Sequence, residues 1–317
     1  MTESILQAVN VSRQFGSNRV LSGIDLSFTR GEFAALLGPN GGGKTTFLRI
    51  CSGLLRPSGG EVLYKGTPLN KAHNELIRNA GYFPEFPSLY DELTVWENLL
   101  FFGRLKGLSS AQIKNSCEIY LVRLGLVDVL KSRARTLSKG TKYKVSLCRA
   151  FMGSPAILFM DEPATGLAPE VVEFILEMLR EQRKKGTTLI YTSHNMDVTS
   201  SISDRIILIN RTVEAEGTFQ EFSDKYFTPC WRLELDESSD ELTDRVKAVG
   251  GVKVTRAGDG YLMYERNDGV QDQSDILKIA ASTDCGVISL TKQRQNAGEI
   301  YKEVFSKARE DDHEDIQ

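Results

Sequence analysis

Two runs of uninterrupted apolar residues, Phe33 to Leu37 and Ala156 to Met160, stand out along the chain. Runs of this length without polar alternation predict short strands buried on both faces, as in a parallel sheet. Thr187 to Thr192 predicts a further strand. Ile5 to Val11 and Gly23 to Phe28 instead alternate apolar with polar residues, the pattern of half-buried strands. Glu61 to Tyr64, after the turn Arg56-Pro57-Ser58-Gly59-Gly60, and Gly81 to Pro84, which stops at Glu85, predict two more. From about Thr94 to Leu137 the period changes. Val95, Leu99, Phe102 and Leu105 recur at spacings of three and four, as do Ile119, Val122 and Leu126, which predicts a helical insertion between strands. Two more helices are expected over Lys142 to Met152 and Glu170 to Lys185, the second ending in Lys184-Lys185-Gly186, cations and a glycine where a helix C-terminus favours them.

After Thr228-Pro229-Cys230 a second unit begins. Trp231 to Asp236 alternates as a strand, and Ser239 can cap a helix reaching Val249. Val252 to Thr255 and Tyr261 to Glu265 predict a hairpin about Ala257-Gly258-Asp259-Gly260. A helix near Asp275 to Ala281 and a strand near Gly286 to Leu290 follow. The order β-α-β-β-α-β is the ferredoxin-like pattern. A last helix is expected over Gly298 to Ala308, with Ile300, Val304 and Phe305 on its buried side. The expected division is 1–227, with a helical subdomain at about 90–155, then 228–310, then an acidic tail at 311–317.

Between the strand at Phe33 and a helix opening at Thr45 lies Gly38-Pro39-Asn40-Gly41-Gly42-Gly43-Lys44-Thr45-Thr46, which fits G-x-x-x-x-G-K-[ST]. Glycines let the backbone fold close about phosphates with its N–H groups inward, and the helix N-terminus adds partial positive charge. Lys44 can reach β- and γ-phosphates, and the Thr45 hydroxyl can sit on Mg²⁺. A strand before and a helix after make a phosphate-binding loop the better reading than an idle glycine-rich turn. Asp161 and Glu162 stand where the Ala156 strand ends, and an open α/β sheet places its site at the carboxyl ends of its strands. Asp161 fits a Mg²⁺ acid, and Glu162 the residue that orients an attacking water. His194 follows the Thr187 strand at the same edge and can contact a γ-phosphate. Ser138 and Gly140, before Lys142, describe by themselves a capped helix start. Phe15, beside a turn, suits ordinary packing as well as stacking on a purine.

Composition narrows this little. A net charge of −3 gives no ground for expecting nucleic acid as a partner. No apolar run approaches the ~20 residues that cross a bilayer, and Met1-Thr2-Glu3-Ser4 lacks the basic start of a secretory signal. Five scattered cysteines without CxxC spacing suggest reduced thiols, a cytosolic setting and no zinc.

Taken together and in this order, the motifs from about Ile5 to Phe222 resemble the ATP-binding subunit of an ABC transporter. The resemblance implies an α/β fold: a P-loop NTPase core with an antiparallel β subdomain and a helical subdomain, here followed by a small C-terminal α+β domain. It places Phe15 at the adenine-stacking aromatic, Glu85 in the Q-loop as a further ligand toward Mg²⁺, Ser138 and Gly140 in the signature, Asp161 and Glu162 in Walker B, and His194 at the switch histidine. ATP and Mg²⁺ are the implied cofactors. The implied partners are a second ATPase subunit, which shares two ATPs head to tail, and separately encoded membrane permease subunits. The implied location is the inner face of the cell membrane.

Three positions depart from the family pattern. Glu85 replaces glutamine and Lys139 the first signature glycine, variants that resemble the multidrug, sodium and polysaccharide exporter branch. Ala168 replaces the D-loop aspartate. Ribosome-binding relatives usually carry two phosphate loops, and only one is present. DNA-repair relatives insert long coiled coils between Walker A and the signature, and the stretch from Lys44 to Ser138 leaves no room for one. An importer subunit often ends in a β-barrel, which the pattern after Trp231 does not match. Retention of Glu162 and His194 counts against a non-hydrolysing subunit.

Overall fold

The computed structural model describes residues 4–165, 167, 169–193, 199, 201–226, 230–237, 239–258, 260–266, 272–283 and 285–292. Two compact units divide the chain, Met1–Phe219 and Gln220–Gln317, a little before the expected boundary.

In the first unit β1 (Ser4–Phe15) and β2 (Asn18–Thr29) form a hairpin longer than the alternation suggested. Register shifts between Ala8 and Val11 and between Val11 and Arg13 let pairing run on into polar residues. β4 (Gly59–Tyr64) and β5 (Thr67–Pro68) complete an antiparallel sheet in the order β2-β1-β4-β5. A second sheet holds β3 (Phe33–Leu37), β6 (Ala80–Phe83), β7 (Ile157–Asp161), β8 (Thr188–Thr192), β9 (Arg205–Asn210) and β10 (Thr212–Gly217). Its order is β10-β9-β3-β8-β7-β6, and every neighbouring pair is parallel except β10 with β9.

β3, β7 and β8 are buried at every position. Alternation sends their side chains into two different cores. Ala34, Leu36, Ile157, Phe159 and Ile190 join the antiparallel sheet and α1 (Lys44–Cys51), while Phe33, Ala35, Leu158, Met160, Leu189 and Tyr191 join the helices on the other face. That is why these strands read as continuous apolar runs. α2 (Leu69–Asn79), which no sequence expectation covered, buries only Ala72 and Leu76.

The helical part holds α3 (Val95–Leu105), α4 (Ser110–Arg123) and α5 (Lys139–Phe151). Thr94 and Ser109 close α3 and α4 with reciprocal capping boxes to Glu97 and Gln112. Here the expected faces need correction. Val95 and Leu99 are buried, but Leu105, Ile119 and Val122 are exposed. α4 buries Ile113, Cys117, Tyr120 and Leu121 instead. α6 (Pro169–Lys184) precedes β8.

In the second unit, α7 (Phe219–Tyr226) spans the division and is followed by β11 (Cys230–Leu235), α8 (Asp240–Lys247), β12 (Val252–Gly258), β13 (Tyr261–Arg266), α9 (Ser274–Ala281) and β14 (Val287–Lys292). The strands pair antiparallel in the order β12-β13-β11-β14. Leu233, Leu235, Leu262 and Tyr264 face Leu242, Val246, Ile276 and Ala280 in one core. The expected helix at 298–308 and the acidic tail lie outside the described residues. Among the described residues, no helix is long and apolar enough to cross a membrane.

Candidate functional site

The carboxyl ends of β3, β7 and β8 meet at one edge of the parallel sheet. Asp161 and Thr192 are register partners there, and the Ser193 N–H donates to the Leu36 carbonyl at 3.1 Å. The loop 38–43 leaves β3 and turns into α1. Two glycines in it are required. A Cβ on Gly38 would lie 2.0 Å from the Ile209 carbonyl oxygen of β9. Gly43 caps α1 at φ 97, where a Cβ would meet Leu21 Cδ2 at 2.5 Å. α1 is held by Phe47, Leu48, Ile50 and Cys51, all buried, so the loop sits on a fixed helix end.

A cavity of about 480 Å³ follows the loop. Pro39 through Thr46 line it, together with Asn18 and Val20 of β2, Glu85 and Glu162. Lys44 Nζ donates to the carbonyls of Gly38 at 2.7 Å and Pro39 at 3.1 Å, which places the cation inside the curve of the loop. Burial lowers the Lys44 pKa, while the charges of Glu162, Asp161 and Glu85 act the other way. Three carboxylates therefore address one ammonium.

Asp161 is fully buried. Its Oδ1 accepts from the Thr45 hydroxyl at 2.8 Å and from the Thr192 hydroxyl at 2.7 Å. Its Oδ2 is buried without a hydrogen-bond partner among the described residues. An uncompensated carboxylate oxygen in such a place is costly unless something positive meets it. Hard oxygen donors beside a phosphate-binding loop suit Mg²⁺, which takes one or two carboxylates and completes its shell with phosphate and water. The donor set fits the metal.

Glu162 has a φ of 49, an uncommon conformation for a side chain of its size. Its N–H donates to Thr192 Oγ1 at 2.9 Å, and its Oε2 accepts from the Thr165 hydroxyl at 3.0 Å. Thr192 thus ties Asp161 and Glu162 together. Neither threonine was anticipated from sequence. Thr192 could have been found by asking what borders Asp161 in a parallel register.

The remaining expected residues are placed as follows. Phe15 ends β1 and is 47% exposed, paired across the hairpin with Asn18. Ser138 caps α5 by accepting from the Thr141 N–H at 3.1 Å, and Ser138, Lys139 and Gly140 are all exposed and are not among the residues that line the cavity. His194 and Ala168 lie outside the described residues.

Residues 21–165 match the family model described as ABC transporter. The linearmycin resistance ATP-binding protein LnrL of Bacillus subtilis is 35% identical over 207 residues, 65% of this chain and 67% of that protein. A Nod factor export ATP-binding protein I from a Rhizobium species is 35% identical over 219 residues, 69% of this chain and 72% of that protein. The chain belongs to the ABC transporter ATP-binding proteins. A solved ATP-binding subunit of an ABC transporter, 30% identical, superposes with a TM-score of 0.66 over 70% of this chain and 93% of its own. A dimeric ATP-binding cassette, solved with ADP and Pi at 24% identity and a TM-score of 0.62, shares the fold. The first unit is accordingly a P-loop ABC ATPase that binds and hydrolyses ATP.

Proposed function

We propose that this ATP-binding protein dimerises on ATP, hydrolyses it with Mg²⁺, and so drives a separately encoded membrane permease in export. The single observation that carries the chemistry is the Asp161 carboxylate. One oxygen is held by Thr45 and Thr192, and the other is buried, unpaired and next to the phosphate loop. When bound, Mg²⁺ supplies positive charge against the developing charge on the transferred phosphoryl group. Thr45 and Asp161 would hold it, and Glu85, which also lines the cavity, would add a charged oxygen in place of a glutamine amide. Loop N–H groups from Gly38 through Thr46 and Lys44 cradle the phosphates. Phe15 stacks on the base. Glu162 orients the water, with His194 at the γ-phosphate. Ser138 and Gly140 meet a nucleotide held by a partner subunit, a role that their exposure at the start of α5 supports. The names of the two relatives, one of resistance and one of export, support an export role.

In this reading the protein sits on the inner face of the cell membrane through its permease. The second unit, of ferredoxin-like type, serves regulation or dimer contact or, equally, simple stabilisation; the order β12-β13-β11-β14 with two helices on one face supports that fold. The deciding experiment is Glu162→Gln. ATP affinity should persist, turnover should fall by roughly 10²–10⁴, and an ATP-bound dimer should accumulate on size-exclusion chromatography. Turnover at the wild-type rate would remove Glu162 from the chemistry.

A further inference from the structure

Phe15 stands at the tip of β1, and Arg13, two residues earlier, shares its face of the strand. The Arg13 guanidinium lies over the Phe15 ring, 4.4 Å from its centroid. One guanidinium nitrogen donates to the Arg56 carbonyl at 2.9 Å, which ties the side chain to the turn before β4. Arg13 Nε is buried without a hydrogen-bond partner among the described residues, so that bond and the ring contact are what hold the group. The same turn grips the strand on either side, through the Ser58 N–H to the Ser12 carbonyl at 2.8 Å and the Gln14 N–H to Ser58 Oγ at 3.1 Å. Phe15 is therefore covered on one face and open on the other. Across the hairpin from it is Asn18, which lines the nucleotide cavity.

We propose that Arg13 is a positioning residue for the nucleotide base: it backs one face of Phe15 and fixes the ring so that the other face receives the purine. The inference rests on the nucleotide reading given above. An aromatic ring at a hairpin tip loses side-chain freedom when a base stacks on it, and a ring already held does not lose it again. The cation also interacts favourably with the ring face it covers. The contribution belongs to the base and not to the phosphates, and that separates it from a general effect on folding.

The test measures binding of Mg²⁺-ATP and of inorganic tripolyphosphate by calorimetry. It uses the full chain and its Arg13→Ala, Phe15→Ala and doubly substituted variants. Arg13→Ala should weaken ATP roughly two- to fivefold, the size of an exposed cation–π contact, without weakening tripolyphosphate. The double variant should bind ATP no more weakly than Phe15→Ala alone, because Arg13 acts through the ring. In turnover assays KM should rise with kcat unchanged. The proposal is overturned if ATP affinity is unaltered in Arg13→Ala, if tripolyphosphate weakens equally, or if the loss persists undiminished on the Phe15→Ala background. Unaltered ATP binding in Phe15→Ala would end the stacking role and leave the phosphate site standing. Failure of the wild-type chain to bind either ligand would end the nucleotide reading itself.

Discussion

Thr192 offers the sharpest test of how the acidic end of the site is built. Thr192→Val keeps the branched shape but removes the hydroxyl that donates to Asp161 Oδ1 at 2.7 Å and accepts from the Glu162 N–H at 2.9 Å. The first of these bonds is charge-assisted, on the order of 1.5–3 kcal/mol, and the second is an ordinary buried bond of about 1 kcal/mol. Asp161 keeps its bond from Thr45, which lowers the loss, while the Glu162 N–H forfeits this one. A total near 2–4 kcal/mol is expected. The second bond carries the functional consequence. Glu162 sits at φ 49, a conformation that costs on the order of 1–3 kcal/mol for a residue other than glycine. Its bond to Thr192 is of the same size as that cost. Without it the backbone can relax and carry the carboxylate away from its position. Turnover should fall roughly 10–100-fold with little change in KM, since the phosphate loop is untouched. The urea midpoint of the first unit's transition should fall at constant slope. Thr192→Ser keeps the hydroxyl and should restore both. The reasoning fails if Thr192→Val turns over ATP at the wild-type rate with an unaltered midpoint, or if the serine variant is as impaired as the valine.

Other expectations are more direct. Lys44→Ala should abolish detectable ATP binding by calorimetry, because the cation held against the Gly38 and Pro39 carbonyls is the loop's side-chain charge on the phosphates. Glu85→Gln should weaken Mg²⁺ and tighten metal-free ATP; for an exposed carboxylate about 4 Å from a phosphate charge the effect is near 1 kcal/mol, roughly fivefold, read by nucleotide titration with and without metal. Lys106 donates to the Met152 carbonyl at 2.9 Å, and burial, with the Arg149 charge adding to it, lowers its pKa to about 8. A lysine depressed in the folded state makes stability rise with pH between about 8 and 10.5. Lys106→Met should flatten that rise and gain about 1–2 kcal/mol at pH 7, a figure reduced for partial exposure and the lost bond; urea melts at pH 7 and pH 10 decide it.

The parts of the site that were legible in the sequence are those whose chemistry is local. The phosphate loop announces itself because phosphate binding needs glycines, a lysine and a hydroxyl at fixed spacing between a strand and a helix. Asp161 was legible because a buried five-residue strand ends on it. What the sequence withheld depends on register between strands far apart in the chain. Thr192 faces Asp161 only because β8 inserts between β3 and β7. No periodicity within either strand encodes that neighbour.

The helical part shows the same limit in another form. α4 carries apolar side chains around most of its circumference, so counting at spacings of three and four admits more than one buried stripe. The stripe is decided from outside the helix. Gly103 of α3 leaves room for Ile113, since a Cβ there would lie 2.4 Å from it. Tyr120 stacks on Phe151 of α5 at 5.3 Å and accepts from Gln182 of α6 at 2.9 Å. These contacts turn Ile119 and Val122 outward. Phe83 and Phe86 make the complementary case. Three residues apart, Phe83 is fully buried while Phe86 is 66% exposed. Phe83 is the last residue of β6 and packs its ring on Tyr143 at 4.7 Å; past Pro84 the strand has ended and alternation governs nothing. Beyond it Phe86 and Tyr90 are exposed, and the ring of Phe101 meets Tyr90 at 4.8 Å. The Tyr143 hydroxyl donates to the Pro163 carbonyl, next in the chain to Glu162, from the helix that begins with Ser138 and Gly140. A shift of α5 relative to β7 must break that bond or drag the Glu162 loop with it. The exposed helix start at Ser138 and the loop that carries Glu162 are thus joined through one hydrogen bond.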